Sequence, residues 1–514
     1  MISNNYKKLN DLFGWLSFLI AAVVYILTIE PTVSFWDCGE YIATSVKLMV
    51  GHPPGAPLFQ LIGNFFSQFA MGDPTKVAYM VNLSSALSSA FTILFLFWTI
   101  THLSRKVMIG KGQEIDKKAM AIIFGSGLVG ALAYTFSDSF WFSAVEGEVY
   151  AMSSFFTAVA FWGILKWENA IDASDVRADR WIIFIAFLIG LAIGVHILVF
   201  LTIPAIGLIY YFKKFEYSRN GFIIANVVSI GLLLLVFQII IPLTLKLLGF
   251  LEITFVNSFG LPFDTGTITA VLILAGATYF GVRYARKKEK PIIATAVLSI
   301  AYIVIGYSSF VTLAIRSNAN PPIDENNPED ALSMLAYYNR EHYGDWPKLY
   351  GQSFNAELNA REPFKDGKPT YYRDEEAGKY SISNDGKASV RNFDKKYIGF
   401  FPRMWSDDPG HVQNYIDLMD IKNTKVKPTF AQNFAFFMDY QIGHMWWRYF
   451  MWNFAGRQND EQHRYELTKG NWITGIGFVD EARLGPQKNL PEHFTSNKAR
   501  NTYFALPFIL GLIG

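Results

Sequence analysis

Long runs without a charged side chain dominate the first 314 residues, and they restrict what the chain can fold into. The runs are 12–29, 77–104, 119–137, 149–165, 181–212, 220–245, 265–282 and 291–315. Crossing about 30 Å of hydrocarbon takes about 20 apolar residues as a helix. Seven runs have the length of one crossing. The run 181–212, with His196 at its middle, is long enough for one tilted helix or two short ones.

The basic residues favour two. With the N-terminus and its Lys7 and Lys8 on the inner side, alternating crossings place Arg105, Lys106, Lys111, Lys117 and Lys118 inside, then Lys166, Arg177 and Arg180. If 181–212 crosses twice, Lys213, Lys214 and Arg219 are also inside, followed by Arg283, Arg286, Lys287, Lys288 and Lys290. The connections 30–76, 138–148 and 246–264 hold only Lys47, Lys76 and Lys246. Eighteen basic residues against three is the positive-inside asymmetry of a membrane protein, here with nine crossings before residue 315. No small-x-small cleavage site follows the first run, so it reads as a retained helix.

Beyond residue 315 the composition changes to Gly, Pro, Asn, Tyr, Trp and mixed charge. The reading is three parts. Residues 1–315 form the membrane domain, 316–500 a soluble segment on the side opposite the N-terminus, and 501–514 the start of a tenth helix of a longer protein. In 316–500, Tyr371–Val390 reads as short strands and turns. Met445–Arg457, dense in Trp, Tyr and Phe with Arg448, reads as a helix lying at the headgroup level or as a sugar-stacking surface. The whole chain has only 17% charged residues and a net charge of +2, which excludes an ordinary cytosolic enzyme and gives no reason to expect nucleic acid. One cysteine, Cys38, excludes an intrachain disulfide and a Cys-rich metal centre. No Walker A, GxGxxG, HExxH or CxxC pattern stands in a suitable context.

Ionisable residues at membrane helix ends are the candidates for chemistry. Asp37 and Glu40 stand three apart in the first outer connection, on one face if that segment is helical. They are either a catalytic pair of carboxylates or a capping turn. His52, in Gly-His-Pro-Pro-Gly, is either a surface residue of a rigid turn or a group held facing the same cavity. Glu146 and Glu148 in the second outer connection are either a solvated loop or a second acidic wall. His196 is either a polar turn residue or a ligand. Arg316, in Arg316-Ser-Asn318-Ala-Asn320-Pro-Pro-Ile-Asp324, either snorkels to lipid phosphate or grips the phosphate of a lipid-linked substrate.

These motifs resemble a known superfamily. An acidic cluster after the first helix, followed by His-Pro-Pro, is similar to the GT-C glycosyltransferases. Phe35-Trp-Asp37-Cys-Gly-Glu40-Tyr, Gly51-His-Pro-Pro-Gly55, Val145-Glu-Gly-Glu148-Val-Tyr and the Arg316 motif more closely resemble a Bacteroidetes family. That family was long listed as of unknown function. It is related to the vertebrate transmembrane O-mannosyltransferase of plexin-type domains. The resemblance implies a mainly α fold: a polytopic α-helical membrane protein of GT-C type, with a C-terminal soluble α+β segment. It implies transfer of mannose from a polyprenyl-phosphate carrier to Ser or Thr of exported proteins, by inversion, on the periplasmic face of the inner membrane. Asp37 would be the catalytic acid residue, with Glu40 beside it. His52, Glu146, Glu148, His196, Arg316, Asn318 and Asn320 would line the substrate site. Arg316 or a divalent metal would stabilise the leaving phosphate. The competing expectations are transfer to lipid or polysaccharide, a transporter, and an inactive scaffold that docks partners.

Overall fold

The computed structural model describes residues 2–109, 115–461 and 465–513, so Lys111 and Gly514 lie outside the described residues. Two compact units are present: Met1–Tyr343 with Tyr371–Ser381, and Gly344–Thr370 with Ile382–Gly514. The division therefore falls at Gly344, later than the change of composition near residue 316.

The first unit is a helical bundle. In chain order its helices are α1 (Ile2–Leu27), α2 (Cys38–Lys47), α3 (Pro57–Ser67), α4 (Val77–Met108) and α5 (Lys117–Thr135). Next come α6 (Asp138–Ala144), α7 (Val149–Asp172), α8 (Arg180–Ile193), α9 (Thr202–Lys214) and α10 (Arg219–Leu234). Last are α11 (Ile241–Ile253), α12 (Thr265–Lys287), α13 (Pro291–Tyr307), α14 (Val311–Ser317) and α15 (Ala331–Tyr338). Among the described residues, eight helices are long and apolar enough to cross a membrane, and α8 is a shorter apolar helix. The chain is a multi-pass membrane protein, mainly α.

Hydrogen bonds at the two ends of the bundle fix its topology. At one end Lys106 Nζ lies 2.6 Å from Glu168, Lys213 pairs with Asp172, and Thr295 donates to Asp179. At the other, Glu30 N donates to Val145 O, Leu58 N to Gly194 O, and Val50 N to Ile323 O. Gly194 thus sits at the end opposite Asp172, Asp179 and Lys213. The run 181–212 goes across as α8 and returns as α9, with the break at Gly194–His196. Helix α8 is only about 21 Å long at 1.5 Å per residue. Backbone unwound within a bundle must find partners inside the protein. Here Gly194 O accepts from Leu58 N and Phe59 N, and His196 Nδ1 accepts from Leu198 N at 3.2 Å.

One detail departs from the hydropathy reading. The seventh crossing continues as helix from Arg219 to Ser258, 40 residues, where 246–264 reads as a connection. At about 60 Å it is twice the hydrocarbon thickness. Proline 242 does not end it, because the preceding turns Leu235–Ile240 are a π-helix that absorbs the missing N–H and the ring. The buried Glu252 carboxylate then accepts from Asp264 N, Thr267 N and Thr267 Oγ1, which closes the chain onto α12. Helices α8 and α13 approach until their backbones touch. A Cβ on Gly190 would lie 2.3 Å from Ile303 O, and one on Gly306 would lie 2.6 Å from Leu191 N. Helix contacts in lipid depend on such small residues because apolar burial adds little there.

The second unit mixes short helices with small antiparallel pairs. Tyr350–Gln352 pairs with Ile398–Phe400, Phe364–Lys365 with Val390–Arg391, and Gly456–Arg457 with Asn501–Thr502. Its core gathers Phe354, Met404, Tyr415, Ile421 and Phe436. The aromatic segment 445–454 is helical, but Arg448 does not reach for lipid. Its side chain is buried, Nε donating to His444 O and Nη1 to Gly470 O. Leu506–Ile513 is a short apolar helix.

Topology can be read by cysteine labelling, since the native Cys38 is buried. Cysteines introduced at Ser174 and Glu289 should react with an impermeant maleimide from one side of the membrane, and one at Glu376 only from the other. Labelling of all three from one side would refute the alternation.

Candidate active site

The site is assembled around α2. Its first turn carries Glu40 and its last Lys47, each favourable to the helix dipole. Cys38, Ile42 and Ser45 bury one face. The helix ends on Leu48 in a left-handed conformation, with Leu48 N bonded to Ser45 O and Met49 N to Thr44 O. The chain then turns back through Gly51-His52-Pro53-Pro54-Gly55, whose Pro53–Pro54 bond is cis.

That turn brings His52 against Glu40. The carboxylate accepts from His52 N at 2.6 Å and lies 3.0 Å from His52 Nδ1. On the other side of the ring, Nε2 is 3.9 Å from Asp37 Oδ2. Asp37 occupies the N-cap position without making a side-chain cap bond, and Glu40 is committed to His52. The capping alternative is therefore not what these carboxylates do. Asp37 is the most exposed of the three, with 58% of its side chain accessible. Gly51 makes the arrangement possible: a Cβ there would meet Glu40 Oε1 at 2.5 Å.

Electrostatics tie the pair together. Burial pushes the Glu40 carboxyl up, but the side-chain and backbone hydrogen bonds from His52 outweigh it and hold it below the usual range. The same hydrogen bond raises the His52 imidazole above its ordinary value. Burial opposes this, and the charges of Glu40, Asp37 and Glu325 reinforce it.

A second acidic wall stands beside the first. Glu146 and Glu148 are both buried. Cys38 Sγ lies 3.6 Å from Glu146 Oε2, and Val149 N donates to Glu148 Oε2. Burial raises the Glu146 carboxyl. It pushes Glu148 up to about 7, with Glu146 and Asp37 adding to the rise. Tyr41 and Tyr150 flank these carboxylates. The Tyr41 ring packs on His52 at 5.5 Å, and the Tyr150 ring packs on His196 at 5.2 Å. Thus Asp37, Glu40, His52, Glu146 and Glu148 meet in one place, with His196 at its edge.

Arg316, Asn318 and Asn320 do something else. Arg316 Nε donates to Leu48 O at 2.6 Å and Nη2 to Lys47 O, so the guanidinium caps α2. Asn318 Nδ2 bonds Ala314 O and Glu329 O. Asn320 takes the left-handed conformation after α14. These residues form a strap whose next segment pairs with Val50 through Ile323 O and Glu325 N. The strap continues to Tyr337, whose hydroxyl donates to Gly51 O at 2.6 Å. It positions the His52 turn rather than lining the acids. Sequence reasoning passed over Tyr41 and Tyr150, which adjoin the motifs, and Glu325 and Tyr337, for which no local pattern exists.

Three ligand atoms, one each from Asp37, Glu40 and His52, lie within 4.8 Å of one another. They are the described residues that would hold a divalent cation. Glu40 holds the imidazole through Nδ1, which leaves Nε2, 3.9 Å from Asp37 Oδ2, as the ring nitrogen that such an ion would take.

A helical membrane bundle with a carboxylate–histidine cluster at one end is the class this geometry defines. Comparison with known proteins shows what the N-terminal part of the chain is similar to. Residues 37–219, which begin on Asp37 and include His52, Glu148 and His196, match the family model Protein O-mannosyl-transferase TMEM260 N-terminal domain. Residues 344–438 match a family of unknown function (DUF8416). Protein O-mannosyl-transferase tmem260 of Dictyostelium discoideum is 28% identical over 144 residues, which is 28% of this chain and 16% of that protein. Protein O-mannosyl-transferase TMEM260 of Mus musculus is 29% identical over 159 residues, 31% of this chain and 20% of that protein. The matched part spans a fifth or less of these curated relatives. No solved structure matches the chain. Over its N-terminal domain, then, the chain is similar to an O-mannosyltransferase-like family of membrane glycosyltransferases.

Because Glu148 titrates near 7 in the fold and near 4.5 when exposed, the folded state holds its proton more tightly than the unfolded state. Stability from this group is full below about pH 4.5, falls as pH rises through the window to about 7, and is flat above it. The penalty of the buried charge is roughly 3 kcal/mol. Glu148→Gln should therefore raise Tm at pH 8 and leave it unchanged at pH 4.5. An equal effect at both pH values would show that Glu148 is not protonated in the fold at acid pH.

Proposed function

We propose that this chain is a protein O-mannosyltransferase of the GT-C type. It moves mannose from a polyprenyl-phosphate carrier to Ser or Thr hydroxyls of exported proteins. The reaction belongs to the acid end of the bundle, on the periplasmic face of the inner membrane. The observation that carries the reading is the Asp37–His52–Glu40 cluster, inside the segment similar to named protein O-mannosyltransferases. The location of the basic residues at the other end supports the sidedness.

The chemistry follows from the groups present. Asp37, accessible and not engaged in a cap, takes the proton of the acceptor hydroxyl as its oxygen attacks the sugar C1. The C1–O bond to the carrier breaks and its electron pair leaves with the phosphate, so a single displacement inverts C1. Glu40 orients the imidazole and favours its charged form, and the imidazolium stabilises the phosphate charge as it develops. The carrier phosphate is a good leaving group and needs no strong acid. An apolar pocket beside the cluster, lined by Leu48, Met49, Leu61, Leu313 and Ile315 with Arg316, fits the polyprenyl chain. A transporter fits less well, because its ionisable site belongs at mid-membrane between repeats. Here the acids stand in the connections at one end of the bundle.

The test is transfer of mannose from polyprenyl-phosphate-mannose to an acceptor peptide by the purified, reconstituted chain. Asp37→Asn should lower the rate by at least about 100-fold. Transfer that survives dialysis against a chelator would leave the imidazolium as the group that stabilises the phosphate, and loss of transfer would place a divalent cation on Asp37, Glu40 and His52. Transfer to lipid or polysaccharide but not peptide would replace the acceptor. Undiminished transfer in Asp37→Asn would remove the base. Since Glu40 raises the His52 pKa, activity should fall on the alkaline side as His52 loses its proton. In Glu40→Gln that alkaline limb should move to lower pH, and an unmoved limb would dissociate His52 from it.

A further inference from the structure

A second pocket opens at the basic end of the bundle, away from the acid cluster. Helices α1, α4 and α7 enclose about 200 Å³ there, lined in part by Tyr6, Asn10, Asp11, Trp98, Arg105, Trp162 and Lys166. Three features of this lining call for a ligand.

First, two cations face it with no salt bridge among the described residues. Arg105 lies over the Tyr6 ring at 5.1 Å and Lys166 over the Trp162 ring at 4.7 Å. The nearby acid Glu168 is already taken, by Lys106 at 2.6 Å and by His102 at 3.4 Å. Lys7 and Asp11 are the other charges acting on Lys166, one of each sign. Second, the side-chain oxygen of Asn10 is buried without a hydrogen-bond partner. A buried polar atom left unpaired is costly, so a native protein normally supplies one. Third, the indoles of Trp98 and Trp162, 6.1 Å apart at 31°, form an aromatic wall beside the two cations.

The pocket therefore presents both signs of charge. Arg105 and Lys166 suit a phosphate. Asp11, the unpaired Asn10 oxygen and the indole faces suit an ammonium that still carries N–H groups. We infer that this pocket binds the phosphoethanolamine headgroup of a phospholipid from the adjacent leaflet. The matching is selective. A choline headgroup has no N–H for Asn10, and a glycerol headgroup has no positive charge for Asp11. A lipid seated here would brace α1, α4 and α7 at the end remote from the reacting groups. It does not depend on what the acid cluster transfers.

The test is native mass spectrometry of the full chain in detergent, delipidated and titrated with phosphatidylethanolamine, phosphatidylcholine or phosphatidylglycerol. One phosphatidylethanolamine should be retained at least tenfold more tightly than either other lipid. Lys166→Gln and Arg105→Gln should each weaken it about tenfold, while Arg286→Gln, a basic residue of α12 outside the pocket, should not. Asp11→Asn should abolish the preference over phosphatidylglycerol while leaving binding of the latter intact, a change of selectivity that a misfolded chain cannot imitate. Equal retention of the three lipids, or retention indifferent to Arg105 and Lys166, would overturn the assignment. So would displacement by micromolar free phosphoethanolamine, which would make a soluble ester the ligand.

Discussion

The hydrogen bonds between Glu40 and His52 organise the acid end of this protein. They join a short helix to the turn that follows it, and almost every neighbouring feature serves that junction. Gly51 leaves room for the carboxylate. Arg316 caps the helix that presents Glu40. Tyr337 and the strap from residue 317 hold the turn that presents His52. An ion pair of this kind, partly shielded from water, is stable only when its remaining hydrogen-bonding capacity is met. The backbone N–H of His52 meets part of it, so the same residue supplies a main-chain and a side-chain donor to one carboxylate.

The consequence for function is a division of labour among four acids. Glu40 is spent on orientation, and Asp37 remains available. Glu146 and Glu148 are buried and disfavour ionisation. Burial thus lowers the cost of placing Glu146 and Glu148 beside the other two carboxylates. Environment, rather than residue type, separates their roles.

The membrane part of the fold was legible because hydrocarbon admits so few solutions. Uncharged length was enough to find the long apolar helices, and the basic residues pointed to the break of 181–212 at Gly194–His196. The extension of helix to Ser258 was not legible. It depends on a π-helical turn that accommodates Pro242 and on Glu252 closing the hairpin, neither of which leaves a periodic signature. In the site, the proximity of Asp37, Glu40 and His52 was legible because their motifs are local. The structural bonds of Arg316, Asn318 and Asn320 leave no local pattern. Their partners, Leu48 O, Lys47 O and Glu329 O, are backbone atoms, one set of them nearly 270 residues away. A long-range bond to a carbonyl gives no clue in the partner's side chain. Tyr337 was missed for the same reason.

Cys38 has a consequence of its own. Burial and the neighbouring Glu146 and Glu148 carboxylates push its thiol well above the ordinary range, and it already lies against Glu146. The thiolate is the form that attacks disulfides and oxidants. Burial and the suppression of that form both slow thiol–disulfide exchange at the single sulfhydryl of the chain.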